Sequence, residues 1–267
     1  MSLEILEMKA KKKTDFPPLL FVHGMCHAAW CWQENFMPYF VERGFDSYAV
    51  SLRGHGKSDS DKPLHKLSIA DYVVDVQKVV NHIGEMPILV GHSMGGFITQ
   101  HYLVNKAVKA AILLTPTPHN GVKYANKRPE MYHRISKFVL SWKKSFRFTL
   151  NTLPKARRAM YSKDLPKDLL QKYFERLDDE SITAFFDMYE EHIPINYHTK
   201  VPMLVVAADK DRLLSVKCIE ATAKYYNADF VLAKNTAHNV MLDTRWEWVA
   251  NRVFEWVSVN VGVTASR

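Results

Sequence analysis

The run Pro87-Ile-Leu-Val-Gly91-His-Ser93-Met-Gly95-Gly96 ends an apolar segment in Gly-x-Ser-x-Gly and passes into helix-compatible residues from Phe97 to Leu103. A serine at such a strand-to-helix turn is held in a strained backbone conformation with its hydroxyl raised above a sheet, where it can serve as a nucleophile. Gly91 and Gly95 suit that turn because a Cβ at either place would meet backbone passing close by. A serine hydroxyl is a weak nucleophile until a base takes its proton, and the base needs an acid to orient it. In a strand–turn–helix setting the acid is expected after the serine and the histidine last. His238, in Lys234-Asn-Thr-Ala-His238-Asn-Val-Met-Leu, follows the apolar run Phe230–Leu232 and precedes a helical pattern starting near Asp243, so it is read as the base. Two acids, Asp209 and Asp211, follow the apolar run Met203–Val206. Asp211 is preferred because the Leu213-Leu214 pair beyond it would anchor its loop; Asp209 is kept as the alternative, the spare acid then capping a helix or pairing with Lys210 or Arg212. The tetrahedral oxyanion of acyl transfer needs backbone donors. Met94 N–H, just after the serine, is one, and Met25 N–H, in His23-Gly24-Met25-Cys26, is the second.

These residues need elements that bring them to one rim. Short apolar runs at Leu19–Val22, Ser47–Leu52, Pro87–Val90, Ala110–Leu114, Met203–Val206 and Phe230–Leu232 mostly lack polar alternation, as strands covered on both faces do. Helical patterns at 30–42, 69–82, 97–105, 216–226 and 245–257 fall between them. This repetition predicts a doubly wound α/β fold of mostly parallel strands, with ligands beyond the strands' carboxyl ends.

The alternation stops after Leu114. Residues 1–115 and 198–267 are read as the core, and 116–197 as a helical cap inserted after the fourth run, Ala110–Leu114. Its charge is uneven: twelve Lys/Arg stand against the single acid Glu130 in 117–163, and four against nine acids in 164–200. Ile135, Phe138, Val139, Trp142 and Phe146 fall on one helical stripe, with Arg134, Lys137, Lys143, Lys144 and Arg147 around it. The stripe is expected to cover the pocket while the basic half pairs with the acidic half. Weak contact with an anionic membrane surface is the alternative. Tyr124, Met131, Tyr132, Trp142, Met160, Phe185 and Phe186 are candidates for an apolar pocket wall.

Composition narrows the rest. The chain has 267 residues, a net charge of +8 and three cysteines, Cys26, Cys31 and Cys218. An odd, low cysteine count suits a reducing compartment rather than a disulfide framework. No apolar run reaches the length of a membrane span, and the acidic N-terminus lacks a signal-peptide core, so a cytoplasmic protein is expected. Basicity without a nucleic-acid-binding motif makes nucleic acid an unlikely partner. A small apolar ester is the expected partner, and the chain a monomer or homodimer.

Phe21-Val-His-Gly24, Ser51-Leu-Arg-Gly-His-Gly56-Lys-Ser58-Asp59, Gly91-His-Ser-Met-Gly-Gly96, Asp211 and His238 together resemble the α/β-hydrolase superfamily of serine esterases and lipases. Val22-His-Gly-Met-Cys-His-Ala-Ala-Trp-Cys-Trp32 is similar to its plant methylesterase and hydroxynitrile lyase branch. The resemblance implies an α/β-hydrolase fold with a helical cap, and a carboxylic ester hydrolase with a Ser93–His238–Asp211 catalytic triad. It also implies a Met25/Met94 oxyanion hole and no cofactor or metal. A perhydrolase or a C–C bond hydrolase would use the same triad. Two rivals lose ground on single residues: position 93 is not the aspartate of dehalogenases and epoxide hydrolases, and Asn239 stands where the lyase branch has lysine. A ligand-binding receptor on the same fold is the non-enzymatic alternative. The chain departs from many relatives at Ser51, where they carry Asp. Its opening is short, with only Leu3–Met8 available for a first strand.

Overall fold

The computed structural model describes residues 1–12, 14–124, 144–190, 192–194 and 199–261. The apolar runs form strands β1 (Ile5–Met8), β2 (Leu19–Val22), β3 (Ser47–Val50), β4 (Ile88–His92), β5 (Ala110–Leu114), β6 (Met203–Ala208) and β7 (Asp229–Ala233). They make one sheet in the order β1-β3-β2-β4-β5-β6-β7. Strands β2 to β7 run parallel, and β1 lies antiparallel on β3 with Ile5 opposite Val50. The short N-terminus thus supplies one edge strand. The fold is an α/β-hydrolase fold, a mostly parallel sheet with helices on both faces.

The lack of alternation in the strands has a direct cause. In β2, Leu19 and Phe21 enter one apolar cluster and Leu20 and Val22 the other, and β4, β5 and β6 divide the same way. Phe21 is fully buried, with Trp32, Phe36 and Phe40 rings at 5.0, 6.4 and 6.1 Å. Truncating a ring so packed costs about 3–5 kcal/mol.

The helical pattern at 30–42 is two helices, α1 (Trp30–Gln33) and α2 (Phe36–Glu42). One continuous helix would place Pro38 in its interior, where the ring meets the carbonyl four residues back. Breaking at Asn35 (φ −138°) puts Pro38 in the first turn, and the Asn35 amide donates to the Met241 carbonyl at 2.9 Å. Helix α3 (Ile69–Ile83) starts with Ser68 and Asp71 capping each other and ends at Gly84 in the left-handed region. Its buried Asp75 holds Arg53, on the loop after β3, with Nη2–Oδ1 at 2.7 Å. Then follow α4 (Met94–Leu103), α5 (Leu153–Met160), α6 (Lys167–Glu175), α7 (Ile182–Glu190), α8 (Val216–Tyr226) and α9 (Trp246–Asn260).

Helices α5 to α7 lie in the insert between β5 and β6, where the described residues include no strand. Met131, Tyr132, Arg134, Ile135, Lys137, Phe138, Val139, Trp142 and Lys143 lie outside the described residues, as does the Tyr124 side chain. Of the stripe, Phe146 is described, and it packs on Phe185 at 5.0 Å. Insert cations reach across to the core: Lys172 and Arg176 both hold Glu34, at 2.6 and 2.7 Å. Among the described residues no helix is long and apolar enough to cross a membrane.

Candidate active site

Ser93 joins β4 to α4 with φ 53° and ψ −115°, a region costly for a residue with a Cβ. Its neighbours hold the strain. Ser93 N–H donates to the Leu114 carbonyl at 3.1 Å, and its carbonyl accepts from Phe97 N at 3.2 Å and Thr117 N at 3.1 Å. A Cβ on Gly91 would run into the Gly95 carbonyl, and one on Gly95 into the Val22 carbonyl. Ser93 is the only residue from 87 to 100 that is not fully buried. The turn thus leaves Ser93 partly exposed among buried neighbours.

His238 sits on the loop after β7, and its Nδ1 lies 2.7 Å from Asp211 Oδ2. Both side chains are buried, at 3% and 0% exposure. The other Asp211 oxygen accepts from Leu213 N at 2.8 Å and Leu214 N at 3.0 Å, so the carboxylate is fixed from both sides. Asp209 points elsewhere: it pairs with Lys210 at 3.1 Å and accepts from Thr236 N. Helix α8 is capped by Ser215, not by either acid.

Ser93 Oγ makes no hydrogen bond among the described residues. Its link to His238 runs through His92, whose ring centroid is 4.9 Å from that of His238. His92 Nε2–H donates to the His238 carbonyl at 3.0 Å, and Thr115 Oγ1–H donates to the same oxygen at 2.9 Å. The residue before the serine therefore holds the backbone of the histidine. Catalytic hydrogen bonds are often long in a ligand-free site and tighten when substrate arrives.

Met25 follows β2, and Met94 opens α4. Neither amide donates to an acceptor among the described residues. Met94 is buried, and Met25 packs against both apolar clusters. A Cβ on Gly24 would stand 3.0 Å from the Ser93 Cβ and 2.7 Å from His92 Nδ1, so only glycine lets this loop approach the serine. His23 orients the Gly24–Met25 peptide: Leu52 N donates to its Nε2 at 3.0 Å, and its Nδ1–H donates to the Gly24 carbonyl at 2.8 Å. Those partners require a neutral ring, and burial holds His23 well below the usual histidine range.

Several contributors carry no mark in the sequence. Thr115 and Cys26 both adopt positive φ, 40° and 62°. His27 donates from Nδ1 to the Met25 carbonyl at 2.8 Å and accepts at Nε2 from Asn239 Nδ2 at 3.1 Å. Burial pushes His27 down to about 4, which keeps it neutral in that role. His92 lies inside the glycine–serine motif, yet its grip on the His238 carbonyl joins residues 146 apart. Ser51 departs from its relatives without leaving a gap: its hydroxyl donates to Glu4 at 2.6 Å and accepts from Ala29 N at 3.0 Å. Among the described residues no group of three His, Cys, Asp or Glu is placed to hold a metal ion.

Residues 19–252 match the model of the alpha/beta hydrolase family. A bifunctional esterase/perhydrolase of Acinetobacter calcoaceticus is 33% identical over 113 residues, 41% of this chain and 40% of that protein. Methyl jasmonate esterase 1 of Vitis vinifera is 38% identical over 80 residues, 29% of this chain and 30% of its own length. The chain thus spans well under half the length of these two curated relatives. An esterase from Exiguobacterium antarcticum superposes with a TM-score of 0.77 over 96% of this chain and 95% of that one, at 17% identity.

Proposed function

The chain belongs to the alpha/beta hydrolase family, and from that premise we propose that it is a serine hydrolase cleaving carboxylic esters through an acyl-enzyme. The observation that carries the reading is a strained, partly exposed Ser93 whose neighbour His92 packs on His238 at 4.9 Å, with His238 held by the buried Asp211 at 2.7 Å. Ser93 Oγ attacks the ester carbonyl while His238 Nε2 takes its proton. The imidazolium formed is stabilised by Asp211 on Nδ1. The Met25 and Met94 amides bind the tetrahedral oxyanion, and donors fixed in advance are worth most there because they need not reorganise. His238 then protonates the leaving alcohol. Water, deprotonated by the same imidazole, attacks the acyl group and releases the acid and free Ser93.

The substrate we propose carries an apolar acyl or aromatic group, because the partly buried Met25, packed on both apolar clusters, offers an apolar wall. The insert acts as the cap over this wall. Perhydrolysis is the second reading, favoured by the relative named for both activities. There hydrogen peroxide replaces water in the second step and releases a peracid. The lyase reading has no comparable support, since the Asn239 side chain is engaged with His27.

The deciding experiment is hydrolysis of p-nitrophenyl butyrate by the wild type and by Ser93→Ala, with labelling by a fluorophosphonate. Turnover in the wild type, loss of at least about 10³-fold in the variant, and label on Ser93 are expected. Retained turnover in Ser93→Ala, or a folded wild type that takes no label, would refute the reading.

A further inference from the structure

Glu180 is an insert carboxylate with 1% exposure, and every contact it makes bears on the rim of the sheet or on its own turn. Oε2 accepts from Cys26 N at 3.2 Å and faces His55 Nε2 at 3.2 Å. Oε1 accepts from Tyr72 OH at 3.0 Å and from Ser181 N at 2.7 Å. A buried carboxylate is costly unless each oxygen is satisfied, and here each has two donors. The other nitrogen of His55 faces the Arg53 carbonyl at 3.2 Å. Both ring nitrogens thus meet acceptors, an arrangement that favours the imidazolium.

Cys26 follows the proposed oxyanion donor Met25, and its left-handed backbone persists only if its surroundings enforce it. They do so on three sides. Glu180 holds its N–H, Asp178 N–H donates to its carbonyl at 2.9 Å, and His27 holds the carbonyl of the Met25–Cys26 peptide. The peptide before Met25 is pinned from the core by His23, and the peptide after it is pinned from the insert by Glu180. Together they fix the direction of the free Met25 N–H.

We propose that Glu180 is a positioning residue for the oxyanion hole, so that the insert not only covers the site but sets the aim of its Met25 donor. This rests on the reading of Ser93 as nucleophile and Met25 as donor. Glu180 touches no substrate. Its effect is felt where the oxyanion forms, and so in turnover rather than in ground-state binding.

The test is Glu180→Gln, which keeps the size but leaves one oxygen for donors on two sides. Deleting a whole oxyanion donor costs about 10²–10³ in kcat; misaiming one should cost roughly tenfold in kcat on p-nitrophenyl butyrate. KM should stay within about twofold. Phenylboronic acid, which mimics the tetrahedral state on the serine, should bind weaker by the same factor as kcat falls. Unchanged kcat, or a rise in KM at constant kcat, overturns the proposal. Should Glu180→Gln fail to fold, Tyr72→Phe decides: it removes one donor to Oε1 and should lower kcat about twofold to threefold with KM unchanged. Full kcat in that variant overturns the proposal equally. Fluorophosphonate labelling of the wild type separates the two claims. No label on Ser93 removes the functional reading and this one with it, whereas a labelled wild type beside a fully active Glu180→Gln removes this one alone.

Discussion

The insert meets the rim of the sheet at two seats, and their chemistry is reversed. At the oxyanion loop the insert brings the carboxylate, Glu180, and the core brings donors from Cys26, His55 and Tyr72. At the histidine loop the core brings the carboxylate, Asp243, which accepts from Ala237 N at 3.0 Å and from the insert hydroxyl of Ser162. Asn239 N adds a bond to the Met160 carbonyl at 3.0 Å. The first seat sets its carboxylate against an imidazole, and the second pairs its carboxylate with no ionisable group among the described residues. On the proposed reading, the histidine takes its acid from the core and only uncharged support from the insert, while the oxyanion half depends on a carboxylate supplied from the insert.

The sharpest way to break this contrast is at the acid–base half itself. Asp211→Asn should lower kcat by about 10³–10⁴-fold, because the amide no longer holds the productive imidazole tautomer. Asp209→Asn should stay within about threefold, since an exposed ion pair such as Asp209–Lys210 contributes little. Steady-state rates on p-nitrophenyl butyrate read both variants. If Asp209→Asn is the more damaged, the acid is misassigned and the core half is not as described.

How much of this contrast the sequence could carry depends on distance along the chain. Ser93 and its glycines are a local pattern, and the strands around them follow from unbroken apolar runs that the sheet buries on both faces. The Asp211–His238 pairing spans 27 residues, one helix and one strand, a distance over which chain order still guides the eye. Cys26 and Glu180 are 154 residues apart, and Ala237 gives no sign that its amide needs Asp243. A glutamate in a run of acids, Asp178-Asp179-Glu180, reads as a solvated turn until the fold encloses it. The break between α1 and α2 was legible in principle, because Pro38 forbids one long helix, but the apolar spacing across 30–42 masks it.

The second seat should answer in stability. Asp243→Ala leaves the buried Ala237 N–H and Ser162 hydroxyl without an acceptor, each at roughly 1–3 kcal/mol. A loss of about 2 kcal/mol corresponds to roughly 4–8 °C in Tm for a chain of this size. Thermal melts followed by circular dichroism measure it. A change below about 1 °C would mean the seat bears no load, and the two seats would then differ in importance as well as in chemistry.

The smallest effect is the most specific, because it depends on charge at one seat alone. Burial lowers the affinity of His55 for its proton, but Glu180, Asp178 and the Arg53 carbonyl together more than offset this, and its pKa is raised above the usual histidine value. A group raised on folding stabilises most below its unfolded pKa of about 6.5, and that contribution is lost as pH rises through the folded value. The other groups facing His55 do not follow it. His23, at 5.1 Å, is held low by burial, His27 lies at about 4, and Tyr72 is raised well above its ordinary value by burial and by Glu180. The charge of Asp178 also favours the imidazolium. The stability difference between wild type and His55→Gln, from urea unfolding, should therefore be larger at pH 6 than at pH 8.5. The Asp243→Ala variant, which strips an acceptor from two uncharged donors, is the reference measured over the same window. A level His55 difference would mean that no charge is held between the insert and the oxyanion loop, and the two seats would be alike.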